Sequence, residues 1–580
     1  MDIFTLLKIL ALLLSFSGYI LFLKKKFDLR IEFAPVLICA GIGIIMFIAG
    51  IFKIMPIAVP IIWAIGILQL RLFRKDIFNK EEIIKISIFG LISIFFLYFL
   101  RDTQFAHYDN FSHWALVARE MILTDALPTK LSEIISFNSY PTGTAGFIYY
   151  VCKIIGNTEG CMAFAQIFML LSGIFSITAF INVKNWYLSI IVVVMSIYFF
   201  VYNVYITELL VDTVLSVLGL AIMAIIFYYK DEEPEKMIYF TMPILAFLPC
   251  VKNSGIYFCI LSIVYMYLLT RKEEDKKYNK KIIKYSIVPT VLLMALWKIH
   301  VSLTFGSRGA SKHSLSLRNY AATLLSKNKN DLVDITTAFA KQILSLKNDA
   351  VVLILVAILI AVFVCVIASI KKDTESIKFA KSMVKISVVV YITYTIGVFL
   401  MYIFSMPTKE ALVLAGYDRY NKTIILYIYG IITTLFLKNS LKWEGIEHLN
   451  TLLITISLTV FMIFSQKHGV GYKRLLKPND YSETVRTELK TLKEKYNIKD
   501  NERYLIYISN SEESADYTFY VSKYEFRSVN IKVYNYDSID DEKINLDEFD
   551  YLISLNDDER IESLLQENGI NKYKDVIELN

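Results

Sequence analysis

Apolar runs long enough to cross the hydrocarbon of a bilayer recur along most of this sequence, and that repetition constrains the fold more than any single motif does. They fall first at Ile3–Leu23, Phe33–Phe52, Ile54–Leu70, Ile83–Leu100, Cys161–Ile181, Tyr187–Tyr205 and Thr213–Tyr229. They continue at Met237–Cys250, Ser254–Leu269, Ile282–Phe305, Val351–Ile370, Ile386–Phe404, Thr423–Leu437 and Leu452–Phe464. Inside hydrocarbon each backbone N–H and C=O must bond within its own segment, so the runs are expected to be helices. That gives about 14 helices, a few shorter than the ~20 residues of a perpendicular crossing. A hydrophobic content of 56% and a mean hydropathy of +0.50 exclude an ordinary soluble enzyme. The first run ends at Lys24, Lys25 and Lys26 and has neither a basic stretch before it nor a small-residue cleavage site. It reads as a retained span rather than a signal peptide.

The net charge of +7 is no sign of a nucleic-acid partner, because the basic residues lie in short clusters between apolar runs. Lys24–Arg30, Arg71–Lys85, Arg271–Lys284 and Lys371–Lys385 are such clusters, and alternate crossings bring them together on the cytoplasmic side of a plasma membrane. The longer segments Arg101–Thr142, Gly306–Asn348 and Ser405–Lys422, and everything after Phe464, then face outward. The six cysteines lie in or beside apolar segments, with neither paired nor metal-ligand spacing, and are expected to be small core residues.

From Ser465 on, hydrophobicity falls and charge rises. The sequence therefore divides into a transmembrane part, residues 1–465 with an outer loop at 101–142, and a water-soluble unit, residues 466–580, of small-domain size. Val485, Leu489, Leu492 and Tyr496 recur at helical spacing. Apolar runs at Tyr504–Ser509, Ile531–Tyr534 and Tyr551–Leu555 alternate with helical stretches such as Asp557–Gln566, which argues for a small α/β layer. Without a glycine-rich phosphate loop or a cluster of metal ligands, this layer reads as a lid or acceptor-positioning module. The expected fold class is an α-helical polytopic membrane protein with a small extracytoplasmic C-terminal α/β domain.

Chemistry-bearing residues concentrate in a few segments. The outer loop begins Arg101-Asp102-Thr103-Gln104-Phe105-Ala106-His107-Tyr108-Asp109-Asn110-Phe111-Ser112-His113-Trp114, which sets acids, imidazoles and aromatics directly after a span. If this stretch is helical, Asp109 and His113 share a face; a solvated boundary loop with interfacial aromatics is the competing reading. Thr207-Glu208-Leu209-Leu210-Val211-Asp212 sets two acids at helical spacing between apolar runs. An ionised carboxylate deep in a bilayer costs ~2.5–3.5 kcal/mol, so such acids face a cavity or a partner unless they merely sit at the water boundary. Lys252-Asn253-Ser254-Gly255 follows Pro249 and interrupts apolar sequence. It either holds a lysine and backbone donors where an anion binds or is a plain turn between short spans. In Tyr417-Asp418-Arg419-Tyr420, Arg419 either forks onto a phosphate or pairs with Asp418 at the surface.

The run Tyr108-Asp109-Asn110-Phe111-Ser112-His113-Trp114, followed by Pro128 and by Tyr140-Pro141-Thr142-Gly143-Thr144, resembles the GT-C superfamily of polytopic glycosyltransferases. It is similar above all to bacterial members associated with cell-surface polysaccharide. Lys252-Asn253-Ser254-Gly255 and Tyr417-Asp418-Arg419-Tyr420 resemble segments of the same group, and the likeness runs from the fourth span to the last, leaving out the C-terminal domain. It implies a GT-C-like fold and, at the outer face, transfer of a sugar from a polyprenyl-phosphate or diphosphate carrier to a glycan or cell-wall polymer. In that superfamily an acid of the first outer loop is the catalytic base. Asp109 matches it, with Asp102 in reserve; Asn110 stands where an adjacent second acid is usual, and four spans rather than one precede the loop.

The chemistry so implied has a deprotonated Asp109 accepting the proton of an acceptor hydroxyl as its oxygen attacks the anomeric carbon opposite the lipid phosphate, with inversion. His113 orients or tunes Asp109, Glu208 and Asp212 bind sugar hydroxyls, and Lys252, Arg419 and Arg318 meet the charge of the leaving phosphate. Asn253, Tyr420 and Trp114 complete the expected substrate contacts. No cofactor is expected, although a diphosphate donor would bring in a divalent ion held by the same acids. The alternatives are a lipid-linked oligosaccharide polymerase or ligase, which leans on arginine and histidine, and a transporter or flippase of lipid-linked saccharides, which calls for intramembrane charges and internal repeats.

Overall fold

The computed structural model of the chain describes residues 3–74, 78–130, 132–231, 233–271, 276–306, 317–344, 349–440, 451–459, 485–508, 515–535, 544–555, 559–570 and 574–579. The chain divides into two compact units. The first is Met1–Thr103, Met121–Leu127 and Asn138–Pro478; the second is Gln104–Glu120, Pro128–Phe137 and Asn479–Asn580. The boundary expected at residues 465–466 lies outside the described residues, and the second unit reaches further back than that, taking in parts of the 101–142 loop.

The first unit opens with α1 (Ile3–Phe27), α2 (Ala34–Ile51), α3 (Met55–Phe73) and α4 (Lys80–Leu100). The short α5 (Tyr108–Ser112) and the greater part of α6 (Trp114–Thr124) belong to the second unit. Then come α7 (Gly143–Ile155), α8 (Glu159–Phe175), α9 (Ser189–Val201), α10 (Asp212–Tyr229), α11 (Pro234–Val251) and α12 (Gly255–Thr270). α13 (Lys276–Ile282) continues through a π turn into α14 (Val288–Phe305), and α15 (Leu317–Leu325), α16 (Lys329–Leu344) and α17 (Asp349–Ile370) follow. α18 (Thr374–Phe404), α19 (Thr408–Leu412) and α20 (Tyr417–Ser440) follow, and residues 451–459 are helical as well.

The chain is a helical membrane protein. Among the described residues nine helices are long and apolar enough to cross a bilayer, and four shorter ones, Gly143–Ile155, Asn185–Phe200, Gly255–Thr270 and Ala357–Ile370, are apolar as well. α7 was not among the apolar runs of the sequence, because 13 residues carrying Lys153 near the end are too short to signal a span; it is nonetheless buried along nearly its whole length.

Helix starts follow from local chemistry. The Asn79 side chain caps α4 by accepting the Glu82 N–H, while the Glu82 carboxylate accepts the Asn79 N–H. Pro35 and Pro56 open α2 and α3, where a missing N–H breaks no helical bond. Gly18 and Gly66 let α1 and α3 touch backbone to backbone: a Cβ on Gly18 would stand 1.8 Å from the Gly66 carbonyl oxygen. The centre of the unit is α8, α10 and α20, whose spanning windows are 100%, 94% and 94% buried, against 22% for α3 and α18. The peripheral helices turn apolar stripes outward at helical spacing, Ile57, Ile61, Ile65 and Leu68 on α3 and Val384, Val388, Ile392 and Ile396 on α18. Such stripes suit a lipid-facing surface. Five of the cysteines are buried and Cys365 is half-buried, all as free thiols.

The second unit holds a four-stranded sheet in the order β2-β1-β3-β4. β1 (Tyr504–Ile508) runs parallel to β2 (Ile531–Asn535) and to β3 (Tyr551–Ser554), and β4 (Val576–Glu578) is antiparallel to β3. Besides α5 and most of α6 it carries α21 (Val485–Lys495), α22 (Ala515–Phe526) and α23 (Glu559–Glu567). All five residues of β1 are buried, as a central parallel strand requires. Leu505, Tyr507, Phe549, Leu552, Ile561 and Leu565 pack one core of this unit. α21 buries Val485, Leu489 and Leu492 and, with them, Arg486; Tyr496 lies just past its last turn and is exposed.

Candidate functional site

Three segments far apart in sequence meet at one carboxylate of the first unit. α11 carries Pro249 near its end, and after Val251 the backbone is extended at Lys252 (φ −159°, ψ 148°) before α12 starts at Gly255. The turn is tight: a Cβ on Gly255 would stand 2.3 Å from the Leu248 carbonyl oxygen, so this close approach requires glycine. Lys252 Nζ donates to Asp212 Oδ1 at 2.9 Å. Arg419 Nε lies 3.4 Å from Asp212 Oδ2, a charge contact that lacks hydrogen-bond geometry, and Oδ2 accepts no hydrogen bond among the described residues. Tyr420 presents its ring to both cations, each 5.5 Å from the centroid.

Exposure orders the cluster from inside to outside. Asp212 is 2% exposed, whereas the side chains of Lys252 and Arg419 are 14% and 23% exposed. One buried carboxylate thus faces two partly exposed cations. Asp212 opens α10 and Arg419 lies in the first turn of α20, where the unpaired N–H groups of a helix start add partial positive charge. The arrangement is suited to an anion that approaches from the cation side. The turn that Lys252-Asn253-Ser254-Gly255 makes is thus real, and it aims the lysine at a partner. Arg419 turns to Asp212, while Asp418 accepts from Gln342 Nε2 at 3.4 Å.

Glu208 and Asp212 do not share a helical face. The connection at residues 202–211 is irregular, α10 starts only at Asp212, and the Glu208 N–H closes a turn on the Tyr205 carbonyl at 2.9 Å. Gln166 of α8, which sequence reasoning missed, holds that connection: its Nε2 donates to the Glu208 and Leu210 carbonyls at 3.0 and 3.3 Å. A lone glutamine in the most buried apolar helix was the available signal. Ser216 Oγ donates to the Thr423 carbonyl at 2.7 Å and Asn203 Nδ2 to Thr423 Oγ1 at 3.0 Å, which fixes α10 and the connection against α20.

Asp109 belongs to the second unit. α5 is capped by His107, whose Nδ1 accepts the Asp109 N–H at 3.1 Å, and Asp109 is half-buried. The helix stops at Ser112 because His113 leaves helical geometry (φ −154°, ψ −69°), so the continuous helical face expected for Asp109 and His113 is not formed. The His113 ring, 4% exposed, packs edge-on against Trp114 at 4.7 Å and Phe137 at 5.9 Å.

What holds this loop is α21 and α22. Arg486 Nη1 donates to the Phe105 carbonyl and its Nε to Glu525 Oε1, both at 2.6 Å, and its guanidinium stands 5.1 Å from the Phe111 ring centroid. The Tyr517 hydroxyl donates to the Ala106 carbonyl at 3.0 Å, the Tyr108 and Tyr520 rings meet at 4.9 Å, and Arg119 Nη1 donates to the Tyr524 carbonyl at 2.7 Å. Arg527 pairs with Glu120 at 3.1 Å. Lys523 Nζ donates to Ser136 Oγ at 2.9 Å, and burial pushes this lysine down to about 8. The buried Arg486 at a helical position among leucines was the sequence signal for this attachment.

The remaining expected site residues stand apart from both groups. Asp102 is 70% exposed and pairs with Arg101 at 2.8 Å just beyond α4. Asn253 supplies its backbone carbonyl to the turn, accepting the Ile256 N–H at 3.3 Å. Arg318 lies in α15, with its side chain outside the described residues. Among the described residues no group of three or more histidine, cysteine, aspartate or glutamate side chains is placed to hold a metal ion. Comparison of the chain with family models, with curated proteins and with solved structures found no match.

Proposed function

We propose that this helical membrane protein transfers a sugar from a polyprenyl-phosphate-linked donor to a cell-surface glycan or related acceptor. The observation that carries this reading is the Lys252–Asp212–Arg419 cluster: two partly exposed cations converge on one buried carboxylate. Asp212 keeps the two cations oriented while the site awaits its anion, which is a different task from the sugar binding expected of it. Preorganised cations aimed at developing negative charge are the largest contribution a protein can make to the departure of a phosphate leaving group.

In the proposed reaction the acceptor hydroxyl oxygen forms a bond to the anomeric carbon as the bond from that carbon to the phosphate oxygen breaks. The hydroxyl proton passes to a carboxylate base, and the electron pair leaves with the polyprenyl phosphate. Lys252 and Arg419 neutralise that anion. The test is to incubate the purified full chain in lipid vesicles with a panel of polyprenyl-phosphate sugars and acceptor glycans, and to measure polyprenyl phosphate released and glycan extended. Loss of both products in Asp109→Asn, with donor binding retained, is the result expected. Movement of an intact lipid-linked saccharide across sealed vesicles with no covalent product would overturn the reading in favour of a transporter, the class to which a buried charge cluster among the most enclosed helices also points.

A further inference from the structure

α10 runs for 18 residues from Asp212, about 27 Å at 1.5 Å per residue, and at its other end α10, α12, α18 and α20 enclose a separate cavity of about 340 Å³. Lys230, Lys378 and Lys438 line it together with Asp231, Glu375 and Phe379. Lys230 and Lys438 each lie 3.2 Å from Asp231, one at each carboxylate oxygen. Both also face the Phe379 ring, at 4.5 and 5.1 Å from its centroid. Lys438 Nζ donates in addition to the Phe227 carbonyl in the last turn of α10, at 2.7 Å. The two lysine side chains are 15% and 17% exposed while the acid they share is 51% exposed. The ammonium groups are therefore the withdrawn members, held by the ring and the carbonyl rather than by the acid alone. Lys378 is exposed at the rim.

Among the described lining residues, three lysines stand against Asp231 and Glu375, one positive charge in excess. Tyr265 and Leu269 of α12 supply apolar wall, and further along α18 the exposed Val389 and Ile396 stand on the helical face that Lys378 and Ser382 begin. A basic cavity between membrane helices, continuous with an apolar outer face, matches the two halves of a charged lipid. We propose that this cavity binds the phosphodiester headgroup of an anionic phospholipid, with Lys230, Lys378 and Lys438 as phosphate contacts and the acyl chains along α18. The Lys371–Lys385 cluster, which the sequence presents only as a marker of orientation, then has a ligand.

Native mass spectrometry of the detergent-solubilised full chain, titrated with phosphatidylglycerol, phosphatidylcholine or inorganic phosphate, tests this independently of sugar transfer. Phosphatidylglycerol is expected to be retained in preference to phosphatidylcholine, whose choline cancels the phosphate charge. Lys378→Gln, at an exposed position that tolerates change, is expected to weaken retention about fivefold, and Lys230→Gln combined with it about fivefold more, equivalent to about 1 kcal/mol per lysine. Lys8→Gln, on α1, is expected to leave retention unchanged. Equal retention of the two lipids, or phosphatidylglycerol retention unaltered in both lysine variants, would overturn the proposal. Capture of inorganic phosphate without phosphatidylglycerol would overturn the lipid assignment.

Discussion

Lys252 Nζ stands 2.9 Å from Asp212 Oδ1 although 40 residues separate them in the chain. The contact exists because a proline-bearing helix end and an obligatory glycine put an extended residue at the level where α10 begins. Arg419 approaches the other carboxylate oxygen, so a single buried acid organises both cations.

Removing that acid should therefore cost more than removing either cation. Asp212→Asn removes the buried carboxylate that Lys252 and Arg419 share and is expected to destabilise the protein by about 3 kcal/mol. Lys252→Gln leaves Asp212 still paired with Arg419 and is expected to cost less. Thermal unfolding of the detergent-solubilised chain gives the order; a Lys252→Gln midpoint at or below that of Asp212→Asn contradicts the arrangement.

The backbone of the Asp109 loop depends on Arg486. Arg486→Gln withdraws a donor from the Phe105 carbonyl and strands Glu525 in a buried position, a loss of about 1–3 kcal/mol. Hydrogen exchange is expected to quicken first in residues 104–111, with the β1 amides slower to respond. Arg486→Lys, which cannot fork to both acceptors, is expected to restore little of the protection.

The apolar runs made the membrane helices legible, because hydrocarbon forces one solution on the backbone. The first three strands likewise fall on the runs at Tyr504, Ile531 and Tyr551. α7 and β4 were not legible: one is short and interrupted by Lys153, the other only three residues long. Of the site, Asp212, Lys252, Arg419 and Tyr420 were each visible as charge or ring at the edge of an apolar run. Their convergence was not visible, since it depends on which helix ends pack together. The attachment of the 104–120 loop to α22 escaped for the same reason: Tyr517, Tyr520 and Tyr524 look like ordinary surface and core aromatics until the loop is laid against them.

Lys523 gives a pH test of the second unit. Its folded value of about 8 lies below the ~10.4 of an unfolded lysine. Between these two values the unfolded chain holds more protons than the folded one, so stability rises with pH across that window. Below it the folded state carries a buried charged ammonium. Lys523→Met is expected to protect residues 515–526 from exchange better than the native lysine at pH 7, with the difference closing towards pH 10. A difference that widens over that range contradicts the assignment.

Gly18 and Gly66 report on the packing of α1 against α3. Gly66→Leu drives a side chain into Ser15, whose Oγ lies 2.1 Å from where a Cβ would stand. It is expected to separate the two helices and to lower the unfolding midpoint, whereas Gly41→Leu, with open space around its Cβ position, is expected to be near neutral.

The most direct test of the anion site at the centre of the proposed reaction is to compare binding of polyprenyl phosphate and uncharged polyprenol to the native chain, to Arg419→Gln and to Arg419→Lys. The expected result is tighter binding of the phosphate by the native chain, a preference reduced tenfold or more in Arg419→Gln and partly kept in Arg419→Lys. Equal binding of the two lipids by the native chain, or a preference indifferent to Arg419, would contradict it.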